Sequence, residues 1–183
     1  MKKLVLVFMS AFVLNATMAQ KMAATVEVGG APMYATKNII ENAVNSADHT
    51  TLVAAVKAAG LVSTLQGAGP FTVFAPTNEA FNKLPKGTVE TLLKPENKAT
   101  LTKVLTYHVV AGKWDAAAIA KLIADGGGKA EIKTVAGGTL TATMKGNKLV
   151  LTDEKGGMST VTIKNVYQSN GVIHVVDTVL LPM

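Results

Sequence analysis

The fold is decided by the stretch GPFTVFAPTNEAF, residues 69–81. Its first half is rich in residues that favour strands, such as Phe71. Pro76 lacks the N–H that a central strand needs, and Thr77 is a preferred first residue for a helix. The stretch therefore predicts a buried strand that turns at Pro76 into a short helix containing Phe81.

Helical spacing dominates on both sides of this stretch, from Thr36 to Asp125. Apolar residues recur there every three or four positions, which indicates helices with one buried face. Ser, Thr or Asp residues precede these segments, and glycine or proline ends them. The first predicted helix is capped by Asp48 or Thr50, and the second contains Phe81. The others run from Thr88 to Leu93, start at Lys98, and follow Asp115.

The period of the apolar residues changes to two from Ala130 onward, which is typical of strands. Glycine-containing turns at 145–147, 156–157 and 169–171 separate these strands and predict a meander of hairpins. A helical half followed by antiparallel strands indicates an α+β fold rather than a βαβ nucleotide-binding fold.

Three motifs in this order resemble the fasciclin domain family. GPFTVFAPTNEAF is similar to the family's first box, and YHVV at 107–110 is similar to its tyrosine-histidine motif. NGVIHVVD at 170–177, together with residues 180–182, resembles its second box. The resemblance implies a fasciclin-like β-wedge or sandwich of antiparallel strands with helices packed along one side. It also implies a non-catalytic role in adhesion or matrix binding.

Candidate residues follow from the motifs and the resemblance. Candidate adhesion contacts are Tyr107, His108, Asp177, Val179 and Leu180. Residues expected to hold the motifs together are Phe71, Phe74, Pro76, Thr77, Asn78, Phe81 and His174. The resemblance implies that His108 ties its strand to the first box through Thr77 or Asn78. A strand-end hydrogen bond is the alternative role for Asp177.

Catalytic and metal-binding signals are weak in this sequence. Its three histidines lie at 49, 108 and 174, outside any HExxH or clustered ligand pattern. Asp153-Glu154 adjoins a glycine turn, which favours a solvated turn over an acid/base pair. The chain has no cysteine, so thiol chemistry and disulfides are excluded. No enzyme activity, cofactor or metal is predicted.

The first residues have the layout of a secretory signal peptide. Lys2 and Lys3 precede an apolar run, and small residues end at Ala19. The apolar run is too short to span a membrane, so no transmembrane anchor is expected. The predicted organisation is a signal peptide at 1–19, a flexible leader at 20–36 and a fasciclin domain at 37–183. The protein is therefore expected to be exported, to the periplasm or the extracellular medium.

Adhesion or matrix binding is the leading function, a carrier is the alternative, and a hydrolase comes third. The first is an adhesion or matrix-binding module whose partner is a cell-surface or matrix protein or a polysaccharide. A homo-oligomer could supply the second site that adhesion needs. Nucleic acid is not an expected partner, because all 18 basic residues are lysines and arginine is the main reader of bases. The alternative is a carrier of a small apolar ligand such as a lipid or pigment, suggested by the eight methionines.

Overall fold

The computed structural model of the protein describes residues 25–183. Its helices are α1 (Ile39–Ala43), α2 (Thr50–Ala59), α3 (Val62–Gln66), α4 (Asn78–Asn82), α5 (Thr88–Leu92), α6 (Lys98–Tyr107) and α7 (Ala116–Asp125). Its strands are β1 (Val26–Val28), β2 (Ala31–Met33), β3 (Phe71–Pro76), β4 (Val109–Ala111), β5 (Lys129–Lys133), β6 (Thr139–Lys145), β7 (Lys148–Thr152), β8 (Met158–Gln168) and β9 (Gly171–Val176). Within this range, none of the helices has the length and apolar character to cross a membrane.

Seven strands form one sheet in the order β4-β3-β9-β8-β7-β6-β5. The meander from β5 to β9 pairs antiparallel throughout, as the hairpin turns predict. The β3 and β9 strands instead pair in parallel, from Phe71 opposite Gly171 to Pro76 opposite Val176. Parallel neighbours need a long connection, and the chain between β3 and β9 supplies it. The α+β class is confirmed, with one parallel pair in the predicted antiparallel wedge.

The long strand β8 joins the two halves of this sheet. Its first residues pair with β7, and the rest pairs with β9 with register shifts between Val161 and Val166. Within that irregular stretch, Asn165 adopts a left-handed backbone with φ 61. Bulges bend a strand and increase its twist, so the sheet curves at β8.

Two apolar cores lie on opposite sides of β3 and β9. Val73 and Ile173 point into the first core, which α1 to α6 cover. Phe74 and Val176 point into the second core, where Ile119 of α7 packs against β5 to β8. Alternate side chains of a strand face opposite sides, so these central strands are apolar on both faces. Each large side chain buried there contributes about 1.5–3 kcal/mol to stability.

The strand-to-helix switch in the first box has the geometry that its residues predict. The Thr77 hydroxyl accepts a hydrogen bond from the Ala80 N–H at 3.2 Å, so it caps α4. Asp115 caps α7 in the same way, through the Ala118 N–H at 2.8 Å. Such caps satisfy N–H groups that have no partner inside the helix.

The predicted flexible leader at 20–36 needs correction. Its strands β1 and β2 pair as a hairpin, and the Val28 and Met33 side chains are buried in the first core. Gly29 and Gly30 form the turn with positive φ angles, the geometry of a two-residue hairpin turn. The folded unit therefore includes residues 26–33, which the prediction placed in the leader. The predicted signal peptide at 1–19 and residues 20–24 lie outside the described residues.

Candidate functional site

Four of the five candidate contacts are buried. Tyr107 and Leu180 have no exposed surface, and His108 and Val179 are 2% and 5% exposed. In this conformation, they offer no surface to a partner. The Asp177 side chain differs, because 39% of it is exposed.

The buried His108 ring fastens the segment that follows β9. Its Nδ1–H donates to the Val104 carbonyl at 2.9 Å, and its Nε2 accepts from the Leu180 N–H at 3.0 Å. We assign this tautomer because a carbonyl can only accept and an amide N–H can only donate. The predicted bond to Thr77 or Asn78 is wrong, since both ring nitrogens are used elsewhere. Burial lowers the pKa of His108 to about 4, so the ring is neutral at neutral pH.

The first-box residues have structural roles. Thr77 caps α4, while the Asn78 side chain accepts from the Thr51 N–H and donates to the Ala47 carbonyl. Asn78 therefore joins the first box to the start of α2. Pro76 ends β3. The aromatic members of the motif, Phe71, Phe74 and Phe81, pack in the two cores or against them.

The Asp153-Glu154 pair also holds the C-terminal segment, a role that the turn-like sequence did not indicate. Asp153 Oδ2 accepts from the Leu181 N–H at 2.9 Å, and Glu154 Oε2 accepts from the Met183 N–H at 3.3 Å. Hydrogen bonds from the Thr139 and Met183 N–H groups lower the pKa of Glu154. Both carboxylates thus accept hydrogen bonds from backbone N–H groups, and the buried Asp153 needs such partners.

The Tyr107 hydroxyl connects the same region to β6. It donates to the Thr139 carbonyl at 2.8 Å and accepts from the Glu154 N–H at 3.2 Å. Burial raises the pKa of this phenol. Tyr107 therefore positions the carboxylate pair that fastens the chain end.

His174 positions the start of α7. Its Nε2–H donates to the Trp114 carbonyl at 2.9 Å, and its Nδ1 accepts from the Asn165 N–H at 3.4 Å. The ring stacks on Phe74 with centroids 5.7 Å apart, and burial lowers its pKa. Asn165 in turn accepts from the Ala116 N–H at 2.7 Å. The left-handed Asn165 thus joins β8 to the first turn of α7.

A surface groove lies where α7 meets the bent part of β8. We call it the α7 groove. Its volume is about 670 Å³, which lies in the range of about 300–1,000 Å³ common for ligand sites. It is lined by Ala116, Ala117 and Ala120 of α7, Met144, Asn147, Lys148 and Leu149 of the β6–β7 hairpin, Thr160, Val161, Thr162, Lys164 and Asn165 of β8, and Asp177. Asp177, the one partly exposed candidate contact, therefore lines this groove.

The Asp177 carboxylate has structural bonds as well as exposure. Its Oδ1 accepts from the Thr160 N–H at 2.8 Å and from the Thr178 hydroxyl at 3.0 Å. Its Oδ2 lies 3.9 Å from Lys83 Nζ. The strand-end role and the contact role proposed for Asp177 are therefore compatible, because Oδ1 holds the chain while 39% of the side chain stays exposed.

Comparison with known proteins identifies the family. The fasciclin domain matches residues 47–182. The chain belongs to the fasciclin domain family. Protein sll1483 of Synechocystis is 51% identical over 144 residues, which are 79% of this chain and 73% of that protein. Immunogenic protein MPB70 of Mycobacterium bovis is 37% identical over 143 residues, which are 75% of this chain and 65% of that protein.

The fold of this fasciclin domain is shared with a solved structure. The FAS1 domain pair from the insect cell adhesion molecule fasciclin I matches with a TM-score of 0.71 at 16% identity. The match covers 79% of this chain and 51% of the pair. At that identity, the likeness establishes the fold alone.

The interior of this fasciclin domain does not favour the carrier hypothesis. The apolar cavity between α1, α2 and the sheet measures about 30 Å³, far below the volume of a lipid or pigment site. Met33 borders this cavity, but Met144, Met158 and Met183 are exposed on other parts of the domain. The methionines in the described residues therefore do not form a common ligand site.

The titratable residues are likewise dispersed. Within residues 25–183, no three His, Asp or Glu side chains are arranged to hold a metal ion. His49 bonds Ser46, while His108 and His174 bond backbone groups of different segments. These histidines each have a structural partner of their own.

Proposed function

We propose that this fasciclin domain is an exported, non-catalytic module that binds a cell surface or extracellular matrix through the α7 groove. The observation that carries this proposal is the position of Asp177. It combines a partly exposed carboxylate with a place on the wall of a groove of ligand-binding size. Export rests on the predicted signal peptide at 1–19. Adhesion rests on the family, one solved structure of which comes from a molecule named a cell adhesion molecule.

The buried candidates contribute to this site by positioning. His108 holds Leu180, and Asp153 holds Leu181, so the segment after Asp177 is fastened at both positions. The Tyr107 hydroxyl accepts a hydrogen bond from the N–H of Glu154, the residue after Asp153. Rigid support keeps a binding residue in its productive geometry and reduces the entropy lost on binding.

Adhesion needs at least two contacts, because one site on a free domain cannot join two surfaces. A homo-oligomer or a second surface of the domain would supply the other contact. A coated surface presents many copies at once and so tests the groove without knowledge of the oligomeric state.

Filling the groove is expected to reduce cell capture. Ala117 is exposed and lines the groove, so Ala117→Tyr places a large side chain in it and leaves the Asp177 bonds in place. We expect surfaces coated with this variant to retain about tenfold fewer producing cells than wild type, equivalent to loss of one contact of about 1.4 kcal/mol. The measurement is a cell-capture assay in physiological salt.

Ala124→Tyr is the matched control, because Ala124 is exposed on the same helix but does not line the groove. This variant should capture cells as wild type does. Equal capture by the Ala117 and Ala124 variants would contradict the assignment of the groove. Absence of capture by the wild-type protein would contradict the adhesion function itself.

A further inference from the structure

The charge of the α7 groove comes from two lysines. Lys148 and Lys164 are exposed on its wall, and within residues 25–183 neither ammonium group has a hydrogen-bond or ion-pair partner. Asp177 is the acidic residue of the groove, but Lys83 approaches it from outside the groove. The uncompensated charge in the groove is therefore positive and favours an anionic partner.

The neutral groups of the groove suit a hydroxyl-rich partner. The Asn147 amide, the Thr160 hydroxyl and the Asn165 Nδ2 make no hydrogen bonds to other described residues. Amides and hydroxyls can both donate to and accept from sugar hydroxyls. The opposite wall consists of alanines of α7, whose small side chains leave room for the C–H face of a sugar ring.

A peptide is the competing partner for this groove. Peptides often bind by adding a strand to a free sheet edge, where the backbone supplies the hydrogen bonds. The strands β7 and β8 pair with each other only at residues 150–152 and 158–160, and beyond Thr160 the β8 strand pairs with β9 alone. The groups that the groove offers through side chains are two lysines, amides and hydroxyls, which suit a charged sugar polymer better than a peptide backbone.

We infer that the α7 groove binds a carboxylate-bearing polysaccharide, with Lys148 and Lys164 as the groups that bind its uronate carboxylates. This inference rests on the proposed function, because it names the partner class of the same surface. Charge-assisted hydrogen bonds from the two ammonium groups select the carboxylates. The amide and hydroxyl groups that line the same groove bind the ring hydroxyls.

The test uses the whole protein and an oligogalacturonate as the probe, with affinity measured by isothermal titration calorimetry. We expect Lys148→Gln/Lys164→Gln to weaken binding by about tenfold or more, because two charge-assisted bonds are lost. Lys94→Gln/Lys133→Gln is the matched control, since it removes the same charge at exposed lysines outside the groove. This control should keep at least most of the wild-type affinity. Thermal melts of both variants should match wild type.

Two further probes test the partner class. The methyl-esterified oligogalacturonate should not bind measurably, because its carboxylates are neutral. Poly-glutamate should bind more weakly than the oligogalacturonate, because it lacks ring hydroxyls. Equal affinity for poly-glutamate, equal losses in the two lysine variants, or no binding of oligogalacturonate would each overturn the inference. Cell capture that persists when oligogalacturonate fails to bind would leave the proposed function in place and remove only this partner.

Discussion

Replacing His108 with alanine is expected to lower the free energy of unfolding by about 3 kcal/mol. The change removes the ring that satisfies both the Val104 carbonyl and the Leu180 N–H, and it leaves a cavity in a buried site. Urea unfolding followed by circular dichroism measures the effect. Lys94→Ala, at an exposed position, should leave the midpoint within experimental error.

The same variant separates the positioning role of His108 from a contact role. If His108 met a partner directly, its loss would reduce cell capture and leave the urea midpoint unchanged. We expect instead that the urea midpoint falls. Cell capture should fall only to the extent that the loosened segment after β9 displaces Asp177. An unchanged midpoint would therefore contradict the structural assignment of His108.

Stability is expected to fall as the pH is lowered from 6.5 toward 4. The pKa of His108 is 6.5 in the unfolded chain and about 4 in the fold, because burial disfavours the charged ring. The unfolded state thus binds more protons in this window, and acid favours unfolding. Above pH 6.5, the contribution of His108 to the free energy of unfolding is complete. About 3 kcal/mol of it is lost by the time the pH reaches 4. Burial lowers the pKa values of His49 and His174 as well, so they add to the effect in the same direction.

Urea unfolding at a series of pH values measures this dependence. His108→Gln should show a shallower fall between pH 6.5 and 4 than wild type, because it lacks one of the three buried titrating rings. The pKa of the Glu154 carboxyl is held below its ordinary 4.5, so its protonation changes stability only at the acid end of this range. Identical pH profiles for the two proteins would contradict the assignment of a neutral, buried His108.

Local signals in the sequence were enough to predict most of the fold. Thr77 and Asp115 cap helices where their positions predict, and the glycine turns of the meander fall between strands. The hairpin at residues 26–33 was missed because each strand has three residues, too few for an alternating pattern to stand out. The parallel β3–β9 pair depends on contacts across the whole chain, which periodicity does not report.

The candidate site was harder to predict from the sequence than the fold. The resemblance to the family pointed to Asp177, but motif membership does not distinguish an exposed residue from a buried one such as Tyr107. The partner of His108 lies 72 residues away, in the segment after β9. Lys148 and Lys164 carry no motif, and they line the same groove because the fold brings β7 and β8 together. The bond between Asp153 and the Leu181 N–H, 28 residues along the chain, had no local signal either.

The most direct test of the binding surface is nuclear magnetic resonance of the ¹⁵N-labelled protein titrated with soluble surface polymers released from its own producing cells. The account predicts that amide shifts change around the α7 groove, at Asn147, Thr162 and Lys164, while the rest of the spectrum keeps its positions. Shifts that centre instead on the β1–β2 hairpin and α1, or a spectrum that the polymers leave unchanged, would contradict it.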